Sequence, residues 1–147
     1  MRLSTLLLVL AALGAVVGGS LLLRPARDTP ERQVRAAVDE MAKAARAHDP
    51  AGVLNHVSDR FTSPELGGKA ELRSYLLGEL LRGGVVEARV LDTHVQAMPG
   101  GEVRFTGRLL LGRTAGGVDL GQQAVEATFV DERGTFRVVR AHVEPVR

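Results

Sequence analysis

At 147 residues, this chain is long enough for one independent core. With no cysteine it can have no structural disulfide, no thiolate metal site and no lipidated N-terminal cysteine. Its 19 basic and 17 acidic residues give a net charge of +2, but Arg2, Arg24 and Arg27 flank one apolar segment. Setting those three aside leaves 16 basic residues against 17 acidic, a net of −1. No block of like charge and no basic stripe with interleaved aromatics occurs, so nucleic acid is not expected as a partner.

From Leu3 to Leu23 the chain runs without a charge, and a helix of that length is roughly 30 Å long, the thickness of a bilayer's hydrocarbon core. Residues 1–27 are therefore expected to be a membrane anchor or signal segment, and residues 28–147 the working domain. A cleaved signal is the competing reading, with Val17-Gly18-Gly19 before Ser20 as the small residues a peptidase would need. Against cleavage, the apolar run continues through Leu21-Leu22-Leu23 to Arg24. Arginines flank both ends, so the charge bias alone does not set orientation, although a signal-anchor would export the domain.

Asp28 or Thr29 can cap a first helix, Pro30 suits its first turn, and Val34, Val38, Met41 and Ala45 recur at helical spacing up to about His48. Asp49-Pro50 ends that helix and starts a short second one, expected to run to about Val57. A third is expected over Lys69 to about Leu81, with Leu72, Leu76 and Leu80 as its stripe and Gly83-Gly84 as its stop. Four apolar-rich strands follow, Val85–Ala97, Glu102–Arg113, Val118–Val130 and Thr135–Val146. They are separated by Pro99-Gly100-Gly101, Ala115-Gly116-Gly117 and Asp131-Glu132-Arg133-Gly134. The expected class is α+β, with three helices packed in the concave face of a strongly curved four-stranded antiparallel meander, behind one transmembrane helix.

With those elements in place, Ala44–Phe61, Gly68–Leu76 and Asp131–Val146 resemble the nuclear transport factor 2-like superfamily, and within it the SnoaL-like, polyketide-cyclase-like small bacterial domains. The alanine-rich end of the first helix running into Asp49 resembles that family's pattern, as does Leu54 to Phe61. The last hairpin, Gly134 to His142, matches with Phe136 where the family has Trp. The resemblance implies a cone-shaped, cystatin-like domain with an interior pocket. It does not choose a function, because the family includes isomerases, dehydratases, cyclases and assembly domains. Neither of the catalytic sets known for it maps here, since the first helix lacks any aromatic and Tyr75 is the only tyrosine. The expected location is the bacterial inner membrane, single-pass, with the domain on the periplasmic or extracytoplasmic side. Secretion after signal cleavage is the alternative.

Five residues are ligand-binding candidates: Tyr75, Asp92, His94, Arg140 and His142. If the first hairpin turns on two or four residues, Asp92 and His94 share the inner face with Ala88, Val90, Phe105, Leu109 and Leu111. At i and i+2 of a strand they lie about 6.6 Å apart, close enough for the carboxylate to raise the imidazole pKa. The alternative is a polar strand end. If Asp131–Gly134 make the last hairpin, Arg140 and His142 join the inner face with Val125, Ala127, Phe129, Phe136 and Val138, and hold a ligand; otherwise Arg140 pairs with acids at the surface. Tyr75 offers a hydroxyl to the pocket or packs at the core edge. His48 and His56 read as capping or exposed. No catalytic residue is assigned, no cofactor is implied, and no histidine pair has metal-ligand spacing.

The sequence thus supports a tethered domain that binds a small apolar ligand or a protein partner. An isomerase-, dehydratase- or cyclase-type enzyme using Asp92 and His94 is the alternative. A homodimer is a third reading, through a face bearing Leu91, Thr93, Val95, Thr106 and Leu110 among Glu87, Arg89, Arg104 and Arg108.

Overall fold

Thr29 starts the first helix. In the computed structural model, which describes residues 28–81, 86–113 and 121–146, the Thr29 hydroxyl accepts the Arg32 N–H at 3.3 Å. Helix α1 then runs Pro30–Arg46 with its proline in the first turn. It ends shortly before the expected His48, which takes a left-handed φ of 55° just beyond the cap. The Asp49 carboxylate accepts the Gly52 N–H at 3.0 Å and so caps α2, Pro50–Leu54. Gly52 has to be glycine. A Cβ there would lie 2.6 Å from Asp49 Oδ2 and 2.8 Å from Ala44 Cβ, pushing out the cap and the α1 contact together.

The second helix was expected to reach Val57, and here the structure corrects the sequence reading. The chain leaves the helix after Leu54, and Val57–Ser63 forms strand β1. The Val138 N–H donates to the His56 carbonyl at 2.9 Å, which stitches this segment to the last strand. After a two-residue β2 (Gly67–Gly68), helix α3 covers Lys69–Leu81, as expected. Strands β3 (Val86–Ala97), β4 (Val103–Arg113), β5 (Gly121–Glu132) and β6 (Thr135–Pro145) form the antiparallel meander. The sheet has six strands rather than four, in the order β2-β1-β6-β5-β4-β3, and β1 runs parallel to β6. The expected anchor helix falls within residues 1–27, outside the described residues; among those described, no helix is long and apolar enough to cross a membrane. The Gly83-Gly84 stop and the Ala115-Gly116-Gly117 turn also lie outside them.

One face of the sheet, the inner one, is covered by the helices. Val34, Val38 and Met41 of α1 and Leu72 and Leu76 of α3 are buried with Phe61, Phe105, Phe129 and Val138 in a single core. The other, outer face is exposed, and three local features decide which residues reach it. The first hairpin has five loop residues, Met98–Glu102, closed by the Met98 N–H on the Glu102 carbonyl at 2.7 Å. An odd loop reverses the expected alternation, so Val95 pairs with Phe105 on the inner face and His94 with Thr106 on the outer. A bulge then follows. Leu91 still pairs with Arg108, so Asp92 and Thr93 together oppose Gly107, with Asp92 at φ 53°. Beyond it, Val90 meets Leu109 and Ala88 meets Leu111, as expected. In β6, Val138 pairs with Phe129 but Arg140 pairs with Thr128, so Val139 is an extra residue. It leaves Phe136, Val138, Ala141 and Val143 buried and turns Arg140 and His142 outward.

Candidate functional site

The five-residue turn and the Asp92 bulge turn the expected acid/base pair away from the inner face. Asp92 is exposed, with its carboxylate held by the Arg108 guanidinium through Nε at 2.6 Å and through a terminal nitrogen. His94 is exposed on the outer face beside Thr106. Neither reaches the inner face, which overturns the placement read from the hairpin. Tyr75 is half-buried against the core on α3, at the core edge. Val95, expected on the outward face, is buried, and Thr93 is partly so. His56 is less exposed than expected: its Nε2 lies 2.9 Å from a Glu40 carboxylate oxygen, and its Nδ1 is buried without a partner.

Arg140 and His142 do come together with other polar groups. Across the outer face, Arg104, Thr128, Arg140 and Thr62 occupy one row of paired positions on β4, β5, β6 and β1. The adjacent row carries His94, Thr106, Glu126 and His142. These strands and the two turns beside them enclose a groove of about 440 Å³, walled at its ends by Pro64 and by Met98 with Glu102. Opposite charges alternate within it: Arg104 Nε lies 3.5 Å from Glu126, and Arg140 lies 3.3 Å from Glu102. Both pairs are open to solvent, where such contacts contribute at most about 1 kcal/mol, so a partner can displace them cheaply.

His142 is the most constrained group in the groove. Its Nδ1 lies 2.6 Å from Glu65 and its Nε2 2.8 Å from Glu144. Two carboxylates on two ring nitrogens are both satisfied only when both nitrogens carry protons. The Glu144 hydrogen bond foremost raises the His142 pKa; burial opposes it, and the Glu65 contact adds to the rise. Since the folded-state value lies above the unfolded one, this cluster stabilises fully below about pH 6.5 and is lost as pH rises through the folded value. NMR titration of the imidazole is expected to give a midpoint above 6.5, which Glu144→Gln lowers. A midpoint at or below 6.5 would show that the carboxylates do not hold the ring.

Besides His56 Nδ1, three further buried polar atoms lack partners. Asp39 on α1 is half-buried, and its Oδ1 has no partner; burial raises its pKa, with Arg46 and Arg35 opposing. Thr93 Oγ1 and Gln123 Oε1 are likewise buried and unpartnered. A buried unpaired group costs about 1–3 kcal/mol, so each calls for an explanation. Gln123 was legible in one respect: it lies in phase with Val125, Ala127 and Phe129 along β5. Among the described residues, no group of three or more His, Cys, Asp or Glu side chains converges as a metal ion would need. A broader depression of about 980 Å³ between α2 and α3 holds Asn55, Arg73 and Leu77, with Lys69 paired to Asp59 at 2.8 Å. None of the five candidates lines it.

No protein-family model matches the sequence, and no curated protein matches it. Solved structures do match. An NTF2-like protein of unknown function from Pseudomonas putida KT2440 aligns with a TM-score of 0.68 at 15% identity, covering 78% of this chain and 84% of that one. A proposed dehydratase of the NTF2-like family from Streptomyces avermitilis aligns at 0.70 and 15% identity, over 82% of this chain and 98% of that one. A protein with a cystatin-like fold from Caulobacter vibrioides aligns at 0.65 and 11% identity, over 78% and 88%. At these identities the likeness establishes the fold alone: the chain has the nuclear transport factor 2-like, cystatin-like α+β fold with a curved sheet.

Proposed function

We propose that residues 28–147 form a non-catalytic binding domain of the SnoaL-like kind, which takes a protein partner on the outer face of its sheet. Residues 3–23 hold it to the membrane, with the domain on the extracytoplasmic side. The groove carries this reading: one continuous surface across four strands brings Arg104, Arg140 and His142 together with Glu102 and Glu126. Paired charges of both signs favour a protein surface over a simple anion, because each cation already has a carboxylate nearby. The enzyme alternative loses support, since the two residues named for it are solvent-facing, one of them neutralised by Arg108.

A second copy of the chain is the specific partner that the charge pattern favours. A two-fold axis through the groove would set Glu102 and Glu126 of one copy against Arg104 and Arg140 of the other. Full-length protein is expected to remain with membranes after carbonate extraction and to retain its first residue, Met1. In detergent micelles, sedimentation equilibrium is expected to show a dimer fraction at micromolar concentration. Soluble protein beginning near Ser20 would remove the tether, and a strict monomer at high concentration would remove the second copy.

A further inference from the structure

Resting on the groove as a surface for a second copy, we infer that His142 couples that association to pH. The dimer forms with the imidazole protonated and loosens when the proton leaves. The clamp on the ring is unequal. On one side Glu65 cannot move away: its side chain is only 19% exposed, with Oε1 2.6 Å from His142 Nδ1, and its Oε2 accepts the hydroxyl of buried Ser63 at 2.8 Å. That hydroxyl in turn accepts the Glu65 and Leu66 N–H groups, at 3.3 and 3.4 Å, which pins the turn after β1. On the other side Glu144 is 68% exposed and has room to leave. Loss of one proton therefore has a defined course. Glu65 retains the Nδ1–H, Nε2 turns from donor to acceptor, and Glu144 swings into solvent away from its lone pair.

The charges around the ring set the sign of the effect. Glu65 comes from the turn after β1, Glu144 and Arg140 from β6 itself, and Glu126 from β5, directly opposite His142. Beyond them, Arg104 on β4 pairs with Glu126, and Glu102 of the 98–102 turn pairs with Arg140. With the ring charged, these groups are three cations against four carboxylates; with it neutral, two cations remain against the same four. A two-fold axis through the groove sets that excess against its own copy. Repulsion between the copies therefore grows as the proton leaves, over distances shorter than the screening length of about 8 Å at physiological salt. By linkage, association must also raise the His142 pKa further, above the value to which Glu144 and Glu65 already lift it.

The test is sedimentation equilibrium of the full-length protein in nonionic detergent micelles at about pH 5.5 and pH 8.5, at one ionic strength. These values bracket the ordinary imidazole range and leave the carboxylates ionised. The dimer dissociation constant is expected to be lower at the acidic value by about fivefold or more. His142→Gln, which cannot take the proton, should show the weaker constant at both values. His142→Arg, which keeps the charge, should show the tighter one at both. His94→Gln, in the same row but with β4 and β5 between, should retain the dependence. Equal constants for the unsubstituted protein, or a tighter dimer at the alkaline value, would overturn the inference and leave the groove standing as an interface. A dependence that survives His142→Gln would do the same. Absence of any dimer at either value would remove the second copy itself, and this inference with it.

Discussion

Replacing Phe129 with alanine is expected to lower the stability of the domain by about 3–5 kcal/mol. Phe129 has no exposed surface and stands in the inner face between Val103 of β4 and Val138 of β6. It is packed with Phe61, Phe105 and Phe136 in one core, and close-packed neighbours relax only partly into the gap such a deletion leaves. A domain of this size has about 5–15 kcal/mol in all, so the unfolding midpoint should drop by roughly 10 °C or more. Phe129→Leu, which keeps most of the volume, should cost about 1.5 kcal/mol or less. Chemical denaturation followed by circular dichroism measures both. Equal costs would mean that the site relaxes around the deletion and that Phe129 is not central to the packing.

Reversing charge in the groove should act on association and leave the fold alone. Arg104→Glu and Arg140→Glu, separately, are expected to weaken partner binding by about tenfold or more. Each removes a cation that the partner's acids would meet, and sets the new carboxylate near Glu126 or Glu102 in the same groove. Both side chains are exposed, so unfolding midpoints should stay within about 2 °C of the unsubstituted protein. For a homodimer, a Glu102→Arg copy mixed with an Arg140→Glu copy should recover association that neither shows alone. Failure of that rescue, with both single variants impaired, would point to a different protein as partner.

Much of the architecture could be read from the residues, because helix caps and turns are local. Thr29 with Pro30, Asp49 with Pro50, and the glycine-containing turns at 99–101 and 131–134 placed two helix starts and two hairpins to within a few residues. Strand β1 was not legible. Val57–Ser63 carries Asp59 and Arg60 in its middle, so it lacks the alternation of a half-buried strand, and its parallel pairing with β6 is long-range. The candidate site failed for a subtler reason. Each of the two register changes comes from a single extra residue, in the five-residue 98–102 turn and at Val139, and a slip of one reverses every face beyond it. The bulge at Asp92 adds a further shift upstream. Asp92 takes a left-handed conformation without being glycine, so its bulge carries no sequence mark. The inner-face reading thus fails for Arg140 and His142, and the alternative, Arg140 paired with an acid at the surface, is what the structure shows. Gln123 was passed over because Gln122 beside it is equally polar, and only the buried phase of Val125 and Ala127 distinguishes the two.

Site-specific photocrosslinking in native membranes tests the central claim most directly. Benzoylphenylalanine placed at Thr128, in the groove floor, is expected to give one discrete adduct, at twice the chain mass if the partner is a second copy. The same probe at Ser74, on the exposed side of α3, is expected to give none, and Arg140→Glu should abolish the Thr128 adduct. No adduct from Thr128, or equal labelling from Thr128 and Ser74, would contradict the assignment of the outer sheet face as the working surface.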